Sequence, residues 1–247
     1  MYLVWTVLFL PIVLLKAFKN GELNTLYPLS FLQHLLFDGS YFHLWYLPSL
    51  IAAIVVVWLL KKIRSEKTVW IIAILLFVIG TAANTYVQLL PTLQPIVHAY
   101  NSVFLSTRNG LFFGTIFVLM GSQLAEKRYE GKIGIWLSVG IMAMVIEGII
   151  LNAVLHRIVV NMMASSLVLA PMVFAAALQM RALCKKEIGI IFRHMSTVVY
   201  CFHPVVIILI AKAIGRYSMI ETLLAVGVSN AIAYVVSINE KRFRYFL

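Results

Sequence analysis

Charge is scarce in this chain of 247 residues. Asp, Glu, Lys and Arg make up 12% of it, about half of the roughly 25% usual in soluble domains. A fold of this length cannot cover itself against water with so few charges, which excludes a soluble globule. Acidic residues are the scarcer sign, 9 against 20 Lys and Arg. Cysteine is nearly absent, and Cys184 and Cys201 alone form neither a disulfide framework nor a metal set. There is no His-Glu-x-x-His zinc pattern, no glycine-rich phosphate loop and no Gly-x-Ser-x-Gly elbow. No connection between apolar runs is long enough to hold a soluble domain. No duplicated half with matching broken helices speaks for a repeat-built transporter.

What the chain does have is apolar residues, 62% of the total. A helix needs about 20 of them to cross a hydrocarbon core of about 30 Å. Eight runs meet or approach that length: 2–15, 44–60, 69–90, 111–125, 133–151, 162–178, 195–214 and 220–238. The runs are continuous, whereas barrel strands alternate over about ten residues. The predicted fold is therefore all-α, a polytopic integral membrane helix bundle of about eight transmembrane helices forming one domain, 1–247. The first run lacks the basic start and small-residue cleavage site of a signal peptide and reads as a broken or trimmed first helix. The fourth is short, with Phe104 and Leu105 able to extend it through the turn at 107–110.

The cations sort by loop. Lys61, Lys62, Arg64 and Lys67 follow the second run, and Lys127, Arg128 and Lys132 follow the fourth. Arg181, Lys185, Lys186 and Arg193 follow the sixth, and Lys241, Arg242 and Arg244 the eighth. These even-numbered connections hold 14 of the 20 cations. Cytoplasmic loops collect Lys and Arg, so the even loops and both termini are expected on the cytoplasmic side of a multi-pass cell-membrane protein. The excess of +11 then reports topology, and no nucleic-acid partner is expected, since such a partner needs a folded basic face.

With sidedness assigned, polar residues at membrane depth gather towards the outer half. The long connection 16–43 contains Tyr27–Phe37, which reads as an amphipathic helix lying on the interface. It leads into Ser40-Tyr41-Phe42-His43-Leu44-Trp45-Tyr46. Asn84 and Gln88 end the third run, Arg108 and Asn109 precede the fourth, and Glu147 lies one turn before the outer end of the fifth, with Asn152, His156 and Arg157 just beyond. An ionisable residue at such depth usually faces a partner or a water-filled cavity. Each has a plainer reading too. Trp45 and Tyr46 suit an aromatic belt, His43 an interfacial position, and Arg108 snorkelling to phosphates. Glu147 can bridge to Arg157. His203 precedes Pro204, which frees the carbonyl of Tyr200, and can satisfy a backbone group so exposed.

Four segments resemble, in order, the motifs of the acyltransferase 3 family of bacterial membrane proteins. Phe42-His43-Leu44-Trp45-Tyr46-Leu47-Pro48 resembles its His-Leu-Trp-Phe/Tyr-x-Pro segment, and Arg108-Asn109-Gly110-Leu111-Phe112-Phe113 its Arg-Asn-Gly-x-Phe-Phe segment, followed by a helix ending in glycine, here Gly121. Ile146-Glu147 is similar to a glutamate between them, and Tyr200-Cys201-Phe202-His203-Pro204 to a late Tyr-x-x-His-Pro. Within the family the likeness is greatest to the membrane half of vancomycin-resistance-type serine racemases. Members have about ten membrane helices, so the resemblance implies a domain shortened by the first two. The basic residue and histidine of the family's first helix then have no counterpart here, and another polypeptide is a possible source of the missing helices.

The resemblance implies transfer of an acyl group, acetyl above all, from cytoplasmic acyl-CoA to a hydroxyl of an extracytoplasmic sugar or cell-envelope acceptor, without a metal. His43, Arg108, Glu147 and His203 are the expected catalytic residues. Trp45, Tyr46, Asn109, Asn84 and Gln88 are the expected substrate-binding residues. The alternatives are a carrier for a small solute, such as the amino acid serine, and an inactive truncated remnant.

Overall fold

A computed structural model describes residues 1–127, 129–155, 161–180, 186–214 and 219–246. In chain order it holds α1 (Tyr2–Lys19), α2 (Tyr27–Phe37), α3 (Tyr46–Ile63), α4 (Glu66–Asn84), α5 (Gln94–Phe104), α6 (Thr115–Glu126), α7 (Ile133–Leu155), α8 (Ser166–Met180), α9 (Lys186–Ile214), α10 (Met219–Ile238) and the short α11 (Glu240–Phe243). Two 3₁₀ turns, Val87–Leu89 and Pro91–Leu93, follow α4, and a π-helical turn, Gly110–Gly114, runs directly into α6. No strand occurs among the described residues. The protein is an all-α polytopic membrane bundle.

Among the described residues six helices are long and apolar enough to cross a membrane: α1, α3, α4, α7, α9 and α10. The segments Gly110–Glu126 and Ser166–Met180 are apolar but shorter. At about 1.5 Å per residue they reach roughly 25 and 22 Å, against a core of about 30 Å. Six of the eight predicted runs are thus helices long enough to cross, and the runs 111–125 and 162–178 fall on the two shorter ones.

Several ends differ from the sequence reading, each for a local reason. The run 69–90 stops being an α-helix at Asn84, because the hydroxyl of Thr85 bonds the distant carbonyl of Met162 and the chain turns there. Phe104 and Leu105 do not extend the fourth span. Phe104 ends α5, and Leu105 breaks away with φ +63°. The first run is a continuous helix of 18 residues rather than a broken one. α9 begins nine residues before 195 and is 29 residues long, roughly 43 Å and longer than the core needs, so Arg193 lies within the helix. Near the basic-loop end, Ser65 starts α4 by accepting the amide of Thr68, which satisfies one of the first turn's orphan donors.

The described chain forms two compact units, Met1–Leu14 with Arg181–Leu247, and Leu15–Met180. In the larger, Val57 of α3, Val69, Ala73 and Phe77 of α4, and Ile116 and Leu119 of α6 make the core. Phe113 and Phe117 complete it, with ring centroids 5.9 Å from Phe77 and 5.0 Å from each other. Lipid tails are as apolar as these side chains, so close packing rather than flight from water holds helices together here. Gly110 shows how close. A Cβ on it would lie 2.2 Å from the carbonyl oxygen of Ser49, and one on Gly114 would lie 2.8 Å from the Cβ of Ala53. The π-turn therefore sits directly on α3 only because both positions lack a side chain.

In the smaller unit α9 and α10 pack along one another. α10 buries Ala225, Ser229, Ala233 and Ser237, a small residue at every fourth position, which lets backbones approach. Trp5 of α1 packs edge-on to Phe246 at 5.7 Å and gives its indole N–H to that residue's carbonyl at 3.4 Å.

Candidate functional site

Two polar centres form in the larger unit, one anchored on Asn84 at the end of α4 and the other on Tyr86 two residues beyond it. The first is built around Arg108. α5 ends in a γ-turn in which the amide of Ser106 bonds the carbonyl of Phe104 at 2.7 Å across Leu105. A leucine at φ +63° is strained, and neighbouring bonds hold it there. The Oγ of Ser106 accepts the amide of Arg108 at 3.0 Å and the side-chain amide of Asn84 at 3.3 Å. Thr107 donates to the carbonyl of Gly80 at 3.0 Å. Asn109 accepts the amides of Leu111 and Phe112 on its Oδ1 and donates from its Nδ2 to Tyr100 at 2.9 Å. Asn109 thus caps the π-turn, in which the amide of Gly114 reaches back five residues to the carbonyl of Asn109. Such wide turns recur at functional sites.

The loop so fixed presents Arg108. Its guanidinium lies over the Trp45 ring, 4.7 Å from the centroid, and its Nη2 pairs with the Oδ1 of Asp38 at 3.4 Å. Nε is buried without an acceptor among the described residues. Trp45 touches Phe113 at 6.3 Å, so ring contacts run from the guanidinium to the core. The turn into α3 is equally constrained. Gly39 has φ +84°, and a Cβ there would strike the backbone of Leu44 and Trp45 at 2.5–2.9 Å. That turn buries His43, whose ring lies edge-on to Tyr41 at 5.6 Å and Phe42 at 5.4 Å.

The second centre is Glu147 of α7. Its Oε1 accepts the hydroxyl of Tyr86 and the amide of Ala164 (2.7 Å), and its Oε2 accepts the amide of Ser165 (2.8 Å). These amides precede α8, so the carboxylate satisfies donors at the start of that helix. Burial, and then the bond to Glu147, push the Tyr86 hydroxyl up to about 12. Asn84, Thr85 and Tyr86 therefore send three consecutive side chains to the Arg108 loop, to Met162 and to Glu147.

Of the residues singled out in the sequence, Trp45, Arg108, Asn109 and Asn84 belong to the first centre and Glu147 to the second, while His43 lies in the turn before Trp45 with its ring against Tyr41 and Phe42. The partner of Arg108 is Asp38, and that of Glu147 is Tyr86. Neither acid–base pairing is apparent from the sequence, although Asp38 belongs to a small set of nine acidic residues. Tyr46 is exposed and its ring meets Trp45 at 6.3 Å. Gln88 is exposed in a 3₁₀ turn. His203 lies in the smaller unit, where its Nδ1 donates to the carbonyls of Val199 and Tyr200 at 3.0 and 2.9 Å. The second is the carbonyl that Pro204 frees, so His203 repairs its own helix, which is continuous through the proline. His156 and Arg157, and with them any bridge from Glu147 to Arg157, lie outside the described residues.

An apolar cavity of about 540 Å³ opens between α3, α6 and α8 with Trp45 at one end. A half-buried cation–aromatic pair beside an apolar cavity in a membrane helix bundle makes this end of the larger unit the candidate site. Residues 1–238 match the acyltransferase domain family, and the chain belongs to that family. It is also similar to an amino-acid racemase of Enterococcus faecalis, 31% identical over 53% of this chain and 19% of that protein. A serine/alanine racemase of Enterococcus gallinarum is 32% identical over 63% of this chain and 22% of its own length. A second amino-acid racemase of Enterococcus faecalis is 28% identical over 98% of this chain and 35% of its own length. The chain thus spans about a third or less of these relatives. No solved structure matches it.

Proposed function

We propose that this chain is a membrane-embedded acyltransferase, moving an acyl group, acetyl in the simplest case, from cytoplasmic acyl-CoA to a hydroxyl of an extracytoplasmic sugar or envelope acceptor. The observation that carries the reading is Arg108, fixed over Trp45 beside an apolar cavity in a chain of the acyltransferase domain family. In this reading the basic loops face the cytoplasm and the Arg108 end faces outward.

His43 takes the proton of the acceptor hydroxyl, as imidazole is suited to do near neutral pH. The oxygen attacks the thioester carbonyl, a C–O bond forms and the C–S bond breaks. The departing thiolate takes up a proton. Arg108 offers a planar fork to an anionic group of either substrate, and Trp45, Tyr46 and Asn109 shape the site around it. Glu147 is a positioning residue, since both its oxygens are engaged with Tyr86 and the start of α8.

The test is reconstitution of the full chain in proteoliposomes with radiolabelled acetyl-CoA on the side of the basic loops, and an envelope carbohydrate fraction on the other. Label should pass to carbohydrate with release of free thiol, and His43→Ala and Arg108→Ala should abolish both while inserting normally. Wild-type product from both variants would sink the assignment. A second reading, a carrier for an amino acid such as serine, is favoured by the names of the similar racemases. Uptake of labelled serine without acyl transfer would decide for it, and the absence of both activities for an inactive remnant.

A further inference from the structure

The glycines of the π-turn and α6 fall into two kinds. Gly110 and Gly114 are explained by contact with α3. Gly121 is not, because a Cβ there would meet nothing within 4 Å. Glycine weakens a helix interior relative to alanine, and no neighbour demands it at this place. What Gly121 does line is the cavity of about 540 Å³, together with Phe117 on its own helix, Trp45 and Tyr46 on α3, and Pro171 and Phe174 on α8. The missing side chain keeps this groove open.

The groove has a direction. From Gly114 to Leu124 it follows α6 for about 15 Å at the helical rise. Beyond Met120, Leu124 and Pro171, which both cavities share, a second one of about 350 Å³ prolongs it. No charged residue lines either. The charge stands at the other end, where Trp45 carries the Arg108 guanidinium on its ring. Asp38 engages that guanidinium by a single 3.4 Å contact, and its Nε has no acceptor among the described residues. A long apolar slot with an incompletely paired cation at one end complements a molecule with a hydrocarbon chain and an anionic head.

We propose that the groove seats the chain of an anionic single-chain amphiphile, its head at Arg108 and Trp45 and its chain passing over Gly121, and that this amphiphile is the membrane anchor of the acyl acceptor. The second clause rests on the acyltransferase reading, and the binding itself does not. The head lies at the end away from the basic loops, so the chain belongs to the acceptor rather than to a donor entering from the cytoplasm.

The experiment uses the full chain in nanodiscs of zwitterionic lipid and hexadecyl phosphate bearing a mid-chain diazirine. After photolysis, adducts should map to 117–124 and 170–174, and unlabelled hexadecyl phosphate should compete. Labelling should fall by about tenfold or more in Gly121→Leu, which fills the groove, and by about tenfold in Arg108→Ala, which removes the charged partner. Gly227→Leu, the same exchange in open space on α10 and outside the groove, should fold and label as wild type, and Gly121→Leu should keep the wild-type Tm within a few degrees, so that its loss of labelling is read on a folded protein. Equal labelling by the uncharged hexadecanol analogue, or no change in Gly121→Leu, overturns the proposal in favour of ordinary bilayer lipid. Displacement by palmitoyl-CoA but not by unlabelled hexadecyl phosphate overturns it in favour of the donor. Probe binding without acyl transfer would leave this site standing while the enzymatic reading fails. Acyl transfer without probe binding would do the reverse.

Discussion

The phenolic hydroxyl of Tyr86 donates to Glu147, and the same carboxylate receives the amides that open α8, so one side chain joins the end of α4 to the helices on either side of the 155–166 connection. A carboxylate with three donors carries structure before it carries chemistry. Glu147→Ala is expected to cost roughly 2–4 kcal/mol, since hydrogen bonds to a charged acceptor contribute about 1.5–3 kcal/mol each and the site is only partly buried. Thermal unfolding of the detergent-solubilised protein should show a clear fall in Tm, with Tyr86→Phe intermediate. An unchanged Tm for Glu147→Ala would return this residue to a purely chemical role.

The Tyr86 hydroxyl also sets a pH dependence. Its pKa is raised from 10.0 to about 12, by burial first and by the hydrogen bond to Glu147 second. The folded state holds this proton more tightly than the unfolded one. The contribution to stability is therefore complete below pH 10 and is lost as pH rises through about 12. Tm measured from pH 8 to 12 should fall more steeply at the alkaline end for the wild type than for Tyr86→Phe. Parallel curves would show that the bond does not persist in solution.

Arg108 is predicted to resist conservative replacement. Lysine keeps the charge but neither stacks flat on Trp45 nor offers a planar fork. Arg108→Lys should lower acyl transfer on the order of 100-fold, as loss of one preorganised electrostatic contact does, while Tm stays within a few degrees. Retention of full activity would mean that only the charge matters and that the contact with Trp45 is incidental.

Gly110→Ala should be the most damaging methyl in the larger unit. Its Cβ would sit 2.2 Å from Ser49 O and 2.7 Å from Ala52 Cβ, and such overpacking costs about 1–3 kcal/mol or more. The same exchange at Gly121 should be neutral or gain up to about 1 kcal/mol of helix propensity. Tm of the two variants side by side tests the contrast.

Sidedness can be measured directly. In a Cys184→Ser, Cys201→Ala background, Asn20→Cys and His98→Cys should react with an impermeant maleimide on intact cells. Lys62→Cys and Lys132→Cys should react only after permeabilisation. The reverse pattern would invert the proposed topology and place Arg108 on the cytoplasmic side.

Hydropathy and loop charge carry most of the fold into the sequence, because membrane helices must be apolar throughout and are therefore visible as runs. The helix Tyr27–Phe37 is legible to the residue for the same reason, being bounded by polar turns. The end of α4 is not, since it depends on Thr85 finding a carbonyl 77 positions away. The site divides in the same way. Trp45, Arg108 and Asn109 stand in local motifs, which single them out before any contact is known. Their partners are not, because Asp38 meets Arg108 across 70 positions and Tyr86 meets Glu147 across 61. Those meetings are set by how α2 and α4 pack, which no local pattern encodes.

The turn at Gly110–Gly114 has one further consequence, for anyone aligning this chain with another. A π-turn holds one residue more than an α-turn, and one residue is about 100° of rotation. It shifts the register between the Arg108 loop and every position of α6. A homologous helix without the extra residue would be turned by that angle relative to the Arg108 loop, although the two would align without a visible gap for most of their length. The correct place for a single-residue gap in such an alignment is inside this turn, and moving it elsewhere would misassign which residues of α6 face Val57 and Phe77.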